Sequence, residues 1–279
     1  MTPSDFITQI CIEENIDHKK FSGGYVHLLK KNSETRRVFG SYWDINSAAA
    51  DRIACDKAAC SALLAGDGVP AISHELIFNP LRRAGWAGAN GAWAQALSLF
   101  EKYNRRVVLK PNQGTKGQDV YFCDTISTFE TAAQAIFATE PDAAISPYHE
   151  IENEYRVFYL NGECRLAYGK TRGDTWQHNL SQGAIAFDIA EAKKETARQF
   201  LFELHNLAAR AAECIGINFA TVDIAEAPDG GLVVMEINSG IQAGQLLNQL
   251  PHFFPTVKNI YKDAIRLMFN VKLIGEKHG

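Results

Sequence analysis

Val107-Val-Leu-Lys110-Pro-Asn-Gln-Gly114-Thr115-Lys116-Gly117-Gln-Asp-Val120, taken with a distant Val234-Met-Glu236-Ile-Asn238, decides how this chain reads. The first stretch ends a β-branched run on a lysine and opens into a glycine-containing loop. The second sets two oxygen-bearing side chains alternately along a strand. Gly114 and Gly117 with small polar neighbours let backbone N–H groups close on an anion, and Lys110 and Lys116 bring point charge for phosphates. This is not a Walker A loop, because no Lys-Ser/Thr pair follows the second glycine, nor is it Gly-x-Gly-x-x-Gly. Alone, it reads equally well as the turn of a glycine-containing hairpin.

The second stretch shifts that balance. Phe219-Ala-Thr-Val-Asp223-Ile and Leu232-Val-Val-Met-Glu236-Ile-Asn238 flank Ala227-Pro-Asp-Gly-Gly231, a turn signal that predicts an antiparallel hairpin with Asp223 near Glu236 and Asn238. Glu236 and Asn238 lie two apart on a strand and so share a face. Hard oxygen donors of this kind suit magnesium bridging nucleotide phosphates. The plainer alternative is a solvated strand face bearing ordinary acids.

With 279 residues, 46% hydrophobic content and a net charge of −4, the chain is a soluble globular protein with room for a large core. The weak negative charge argues against a dedicated nucleic-acid or membrane partner. The longest apolar runs fall short of a membrane span and Met1-Thr-Pro-Ser-Asp-Phe lacks a signal-peptide pattern, which predicts a cytoplasmic location. Cys11, Cys55, Cys60, Cys123, Cys164 and Cys214 form no Cys-x-x-Cys pair, so neither a zinc site nor a disulfide framework is indicated.

Along the chain, strands and helices mix in a way that predicts an α/β or α+β fold. The first 50 or so residues read as short strands and turns, including a strand at Tyr25-Val-His-Leu-Leu. A helix is expected over residues 48–65, stopped by Gly66-Asp-Gly68-Val-Pro70, with Lys57 in its first half. A Trp-bearing loop over residues 79–91 leads to a short helix (92–103), and a further helix covers residues 128–138. Residues 144–162 begin as a hinge and end as a strand whose hairpin partner is Arg165 to Arg172. Trp176-Gln-His178-Asn179-Leu-Ser-Gln-Gly183 follows as a polar loop. A long amphipathic helix over 191–215 ends at Gly216, its Phe200, Leu201, Leu204, Leu207 and Ala211 stripe facing a core.

In this order the motifs resemble the ATP-grasp superfamily, in particular the branch of glutathione synthetase, ribosomal-protein glutamate ligases, D-alanine:D-alanine ligase and cyanophycin synthetase. Arg52-Ile-Ala-Cys-Asp56-Lys57 resembles the opening helix, Lys110 to Val120 the phosphate loop and Pro147 to Arg156 the adenine hinge. His178-Asn179-Leu-Ser-Gln-Gly183 resembles the loop beside the reacting phosphate, and Asp223 with Glu236-Ile-Asn238 the metal triad. The resemblance covers roughly residues 48–245. It implies an α+β ATP-grasp fold: an N-terminal segment (1–50), a subdomain with the phosphate loop (51–147) and one with hinge, metal and substrate site (148–279), the last two clamping ATP.

By the same resemblance, Lys57, Lys110, Gly114, Thr115, Lys116 and Gly117 hold phosphates. The backbone at Tyr148 and His149 meets adenine, Glu154 the ribose, and Asp223, Glu236 and Asn238 the Mg2+ ion. Arg156, Lys170, Arg172 and Asn179 are the candidates for holding an acylphosphate and an acidic substrate. On the residues alone, Arg156 and Lys170 also read as cross-strand surface cations, Lys57 as a solvated helix lysine, and Asn179 as a turn former. The resemblance implies an ATP-dependent ligase joining the carboxylate of an amino acid or small peptide to an amine. A phosphotransferase on the same clamp and a non-catalytic nucleotide-binding regulatory module are the alternatives, and a homo-oligomer stays open. Two departures stand out. Ser239-Gly240-Ile241-Gln242 replaces the family's Pro-Gly after the metal-strand Asn, and only about 50 residues precede the opening helix, too few for the family's Rossmann-like domain.

Overall fold

Thr2-Pro3-Ser4-Asp5 is a reciprocal capping box. The Thr2 hydroxyl accepts from the Asp5 N–H, the Asp5 carboxylate accepts from the Thr2 N–H, and Pro3 sits where no helical donor is needed. It launches helix α1 (Pro3–Glu13), a correction to the expectation of strands and turns alone in this region. The computed structural model describes residues 2–80, 91–114, 117–172, 180 and 183–270. After α1 come β1 (Asp17–Phe21), β2 (Val26–Lys31), β3 (Glu34–Phe39) and β4 (Tyr42–Trp43), antiparallel in sequence order. One face of this sheet contributes Leu29, Val38 and Trp43 to a core shared with Phe6, Ile7 and Ile10 of α1.

The predicted helix over 48–65 is two helices, α2 (Ala48–Cys55) and α3 (Lys57–Gly66). They break at Asp56, which has extended backbone (φ −102, ψ 103) and caps α3 by accepting from the Ala59 N–H at 2.9 Å. Lys57 is therefore the first residue of a new helix rather than part of a longer one.

The second sheet comprises β5 (Glu75–Phe78), β6 (Val107–Pro111), β7 (Tyr121–Cys123) and β8 (Asp142–Pro147) in the order β5-β8-β6-β7, all antiparallel. Helices α4 (Gly91–Lys102) and α5 (Ile126–Thr139) join it around Phe100, Val107, Leu109, Phe129, Ile136 and Ile145. The alternation along β6 puts Val107 and Leu109 in that core and leaves Lys110 on the opposite face.

The third sheet runs β11-β10-β9-β12-β13 and is antiparallel throughout: β9 (Asn153–Leu160), β10 (Glu163–Thr171), β11 (Ile185–Phe187), β12 (Phe219–Glu226) and β13 (Leu232–Ser239). Asn161 and Gly162, both at positive φ (47° and 91°), join β9 to β10 in the two-residue turn that matches strand twist. Between β11 and β12 the expected helix over 191–215 is interrupted. A short α6 (Ile189–Lys193) stops where Lys194 takes φ 42°, and α7 (Ala197–Ile215) then runs to Gly216 at φ 67°. Leu204, Leu207 and Ala211 of α7 pack with Val157, Val222, Ile224, Val234 and Ile237 of the sheet and with Ala50, Ala54, Cys60 and Leu64 of α2 and α3. Thus α2 and α3 belong to this core, whereas the core of the second sheet begins at Ile77. Helices α8 (Gly244–Gln249) and α9 (Phe254–Asn270) return to the core under the N-terminal sheet. The described cysteines are all unpaired, and no described helix is long and apolar enough to cross a membrane.

Candidate active site

The cleft face of the third sheet changes character along its strands. Phe158 and Leu160 of β9, Leu166 of β10 and Phe219 of β12 are core, while further along the same face come Glu154, Arg156, Tyr168, Lys170 and Asp223. Register sets the charged set: Lys170 opposes Glu154, Tyr168 opposes Arg156, and Arg156 opposes Asp223. On the outer side Asp223 opposes Glu236, and a bulge between Asp223 and Ile224 leaves Met235 as the extra residue of β13.

These groups bond tightly. Arg156 donates from Nε and Nη2 to both Asp223 oxygens at 2.7 and 2.6 Å. Lys170 donates to Glu154 and, at 3.3 Å, to Asp223. Asn238 donates to Asp223 and to Glu236, each at 3.1 Å. Lys170 is 3% and Asp223 1% exposed, so the pairs sit in low dielectric. Burial alone would raise the Asp223 carboxyl, but Arg156 and Lys170 overcome it and hold Asp223 well below the usual carboxylate range. Burial pushes Glu154 up to about 7, Asp223 adds to the push, and Lys170 only partly opposes it. Burial and Arg156 work against the Lys170 ammonium, yet Asp223 and Glu154 together hold it above the ordinary lysine value. Of the two acids, Glu154 is the weaker and takes up a proton first.

Across the cleft, the loop after β6 is tied to the start of α3. The Lys57 N–H donates to the Asn112 carbonyl at 3.2 Å, and the Ala58 N–H to Asn112 Oδ1 at 3.1 Å. Lys57 Nζ donates to the Gly114 and Asn112 carbonyls at 2.6 and 3.4 Å. A Cβ on Gly114 would meet Pro111 at 2.8 Å, which explains the glycine there. Lys110 has no ion pair or hydrogen bond among the described residues. Burial lowers it to about 8, with Lys57 adding to the fall and Glu236 and Glu154 opposing it. His74, missed by sequence reasoning, is 5% exposed beside these lysines with Nε2 unpartnered. Burial, then Lys110 and Lys57, keep its imidazole neutral, well below the usual range. Asn112 Nδ2 is likewise buried, and like His74 Nε2 it has no partner among the described residues.

At the hinge, the Tyr148 N–H donates to the Arg106 carbonyl at 2.9 Å, its ring meets Phe122 edge-on at 4.7 Å, and His149 is exposed. Arg172 lies exposed just past the end of β10. Gly117 has φ 67°, whereas Thr115, Lys116 and Asn179, with Trp176 and His178, lie outside the described residues. The structure therefore gathers Lys57 and Lys110 on one side and Glu154, Arg156, Lys170, Asp223, Glu236 and Asn238 on the other.

Sequence reasoning also missed a clasp behind β13. Asp51 accepts from Ser239 Oγ at 2.5 Å and from Asn46 Nδ2 at 3.0 Å, and Asn46 Oδ1 accepts from the Asn218 and Phe219 N–H groups. Gly240, at φ 66°, lies where a Cβ would sit 2.6 Å from the Ser41 carbonyl.

A family model described as an ATP-grasp domain, family 3 of its clade, matches residues 65–249. The chain belongs to the ATP-grasp family. Among curated relatives, this ATP-grasp chain is 31% identical over 97 residues to tetrahydromethanopterin:alpha-L-glutamate ligase of Methanocaldococcus jannaschii, 34% of this chain and 29% of that one. It is 26% identical over 148 residues to the alpha-aminoadipate–LysW ligase LysX of Saccharolobus solfataricus, 51% and 50% of the two chains. The match thus spans half or less of these relatives. Among solved structures, D-alanine–D-alanine ligase from Bacillus anthracis superposes with a TM-score of 0.57 at 16% identity, over 81% of this chain and 69% of that one. A bifunctional glutathione synthetase from Pasteurella multocida gives 0.58 at 14% identity, over 96% and 43%. These similarities establish the ATP-grasp fold. Lys57 lies upstream of the matched residues.

Proposed function

We propose that this chain is a cytoplasmic, ATP- and magnesium-dependent ligase that joins the carboxylate of an amino acid or peptide to an amine. The observation that carries the reading is the convergence of Asp223, Glu236 and Asn238, all within hydrogen-bond reach of Asn238 Nδ2, opposite Lys57 and Lys110. Among the described residues no cluster of three or more His, Cys, Asp or Glu suits a metal. Two carboxylates with one amide are the donor set that a hard cation sharing its shell with phosphates requires. The ionised Asp223 fits the same ion, which when bound would offset charge on the transferring phosphoryl group.

In this reading Lys57, Lys110 and the loop through Gly114 and Gly117 bind the phosphates, the backbone at Tyr148 and His149 meets the base, and Glu154 faces the ribose. The substrate carboxylate attacks the γ-phosphorus. The bond to the bridging oxygen breaks, ADP departs and an acylphosphate remains. The amine attacks the acyl carbon, inorganic phosphate leaves with the C–O bond pair, and the nitrogen loses a proton. Arg156, Lys170 and Arg172, with Asn179, supply the cations and donors for the acylphosphate oxygens, so the protein acts mainly by positioning and charge. The test is incubation with ATP, magnesium and pooled amino acids and dipeptides, read by mass spectrometry. The ligase reading requires ADP together with a dehydrated adduct of two pool members. A phosphorylated pool member would replace it with a phosphotransferase, and tight ATP binding without ADP would point to a regulatory module.

A further inference from the structure

The N-terminal sheet has an outer face that α1 and α9 leave uncovered. Cross-strand register places Phe21, Val26, Phe39 and Tyr42 in one row across all four strands, with Lys19, Leu28 and Arg37 in the next and Asp17, Lys30 and Thr35 beyond. Phe21 and Phe39 are each 51% exposed, and Tyr25, which meets Phe39 edge-on at 4.9 Å, is 53% exposed. Gly40 keeps that cluster in place, because a Cβ there would sit 2.7 Å from the Tyr25 ring. Exposed apolar side chains grouped in this way mark a contact surface.

The charge of this surface is opposite to that of the chain. Its outward positions carry Lys19, Lys30 and Arg37 against Asp17, whereas the whole chain is at −4. Lys19 and Lys30 have no ion pair among the described residues, and Arg37, 65% exposed, only approaches Asp44 at 3.8 Å. The aromatic row also leads to the active site. The Tyr42 hydroxyl meets Cys55 Sγ at 3.4 Å, two residues before Lys57, and the neighbouring Ser41 carbonyl accepts from Ser239, the residue after Asn238, at 3.3 Å.

We propose that this face docks an acidic polypeptide segment with alternating apolar side chains, presenting one of the two substrates to the cleft; the substrate role rests on the ligase reading above. Extended strands put every second side chain on one face, which suits an apolar row lying beside a cationic one. A second copy of the chain fits poorly, because a face-to-face pair would bring Lys19, Lys30 and Arg37 against their own kind. Nucleic acid fits poorly too, since the cations are few and interleaved with Val26, Leu28 and Asp17.

The test is fluorescence anisotropy with a fluorescein-labelled Glu-Phe-Glu-Leu repeat peptide, alongside a labelled ATP analogue, on the full chain and on Phe39→Ser and Arg37→Glu. Both side chains are exposed, so the variants fold. The expected result is saturable peptide binding that weakens at least about tenfold in each variant, which is more than 1 kcal/mol, while nucleotide affinity is unchanged. Absent peptide binding, unchanged binding in the variants, or equal binding of a Lys-Phe-Lys-Leu peptide overturns the proposal. So does tighter binding of oligothymidylate, or a dimer in sedimentation that Phe39→Ser dissolves. Docking is read without turnover, so peptide binding by a protein that never forms ADP would sink the ligase reading and keep the surface.

Discussion

The two walls of the cleft solve the problem of buried charge in opposite ways. On the β6 wall Lys110 has no ion pair among the described residues, and burial lowers it to about 8. On the β9–β13 wall the buried cations are matched: Arg156 and Lys170 against Asp223, and Lys170 against Glu154. A half-buried cation with no partner among the described residues is relieved by an arriving anion, which suits the proposed phosphate role of the first wall. The cations of the second wall are already paired, and a ligand has to exchange contacts there.

The sharpest way to break this contrast is Asp223→Asn. Removing the charge that holds both Arg156 and Lys170 is expected to lower ADP formation about a thousandfold or more and to cost about 3 kcal/mol in urea unfolding. Wild-type turnover in that variant would overturn the metal assignment. Next is Lys170→Met, expected to cost about 3 kcal/mol because Glu154 loses its partner. Adding Glu154→Gln should recover much of that loss, and strict additivity in the cycle would show that the two residues are not a pair.

Lys110→Met tests the other wall: nucleotide affinity should fall about tenfold or more while the urea midpoint stays level or rises, since an unmatched charge is removed. A large loss of stability would contradict the unpaired reading. On the proposed phosphate role the cation is lost as pH rises through about 8, so nucleotide affinity should decline across that point and do so less in Lys110→Met.

The smallest expected effect is a slope. Glu154 is raised from 4.5 to about 7, so between those values the folded state binds more protons than the unfolded one and stability falls as pH rises. Glu154→Gln should flatten the unfolding free energy between about pH 5 and 7. An unchanged slope would place the titration elsewhere.

What could be read in the sequence follows from how local its causes are. Asp223, Glu236 and Asn238 were legible because the Ala227–Gly231 turn signal pins the hairpin register within a few residues, and the cleft-facing Lys110 because alternation on β6 is local. Helix α1 carried its signal in Thr2, Asp5 and the Phe6, Ile7, Ile10, Cys11 spacing, which the Gly23-Gly24 turn region nearby obscured. The breaks at Asp56 and Lys194 have no glycine or proline to announce them; docking of Lys57 on Asn112 and packing of α7 decide them. The pairing of Arg156 with Asp223 needs the β9–β12 register across 67 residues of chain, and no local pattern contains it.

The Asn46 clasp has a consequence for the order in which the molecule assembles. Its partners, the Asn218 and Phe219 backbone, lie 172 and 173 residues downstream, and Lys258 reaches Glu13 across 245. During synthesis the N-terminal sheet emerges first with only α1 to close against until β12 and α9 are made. Contacts of such separation carry a large loop-closure entropy and form late. The segment that frames β13 is therefore expected to lock late, and its inner apolar face is open to chaperones until then.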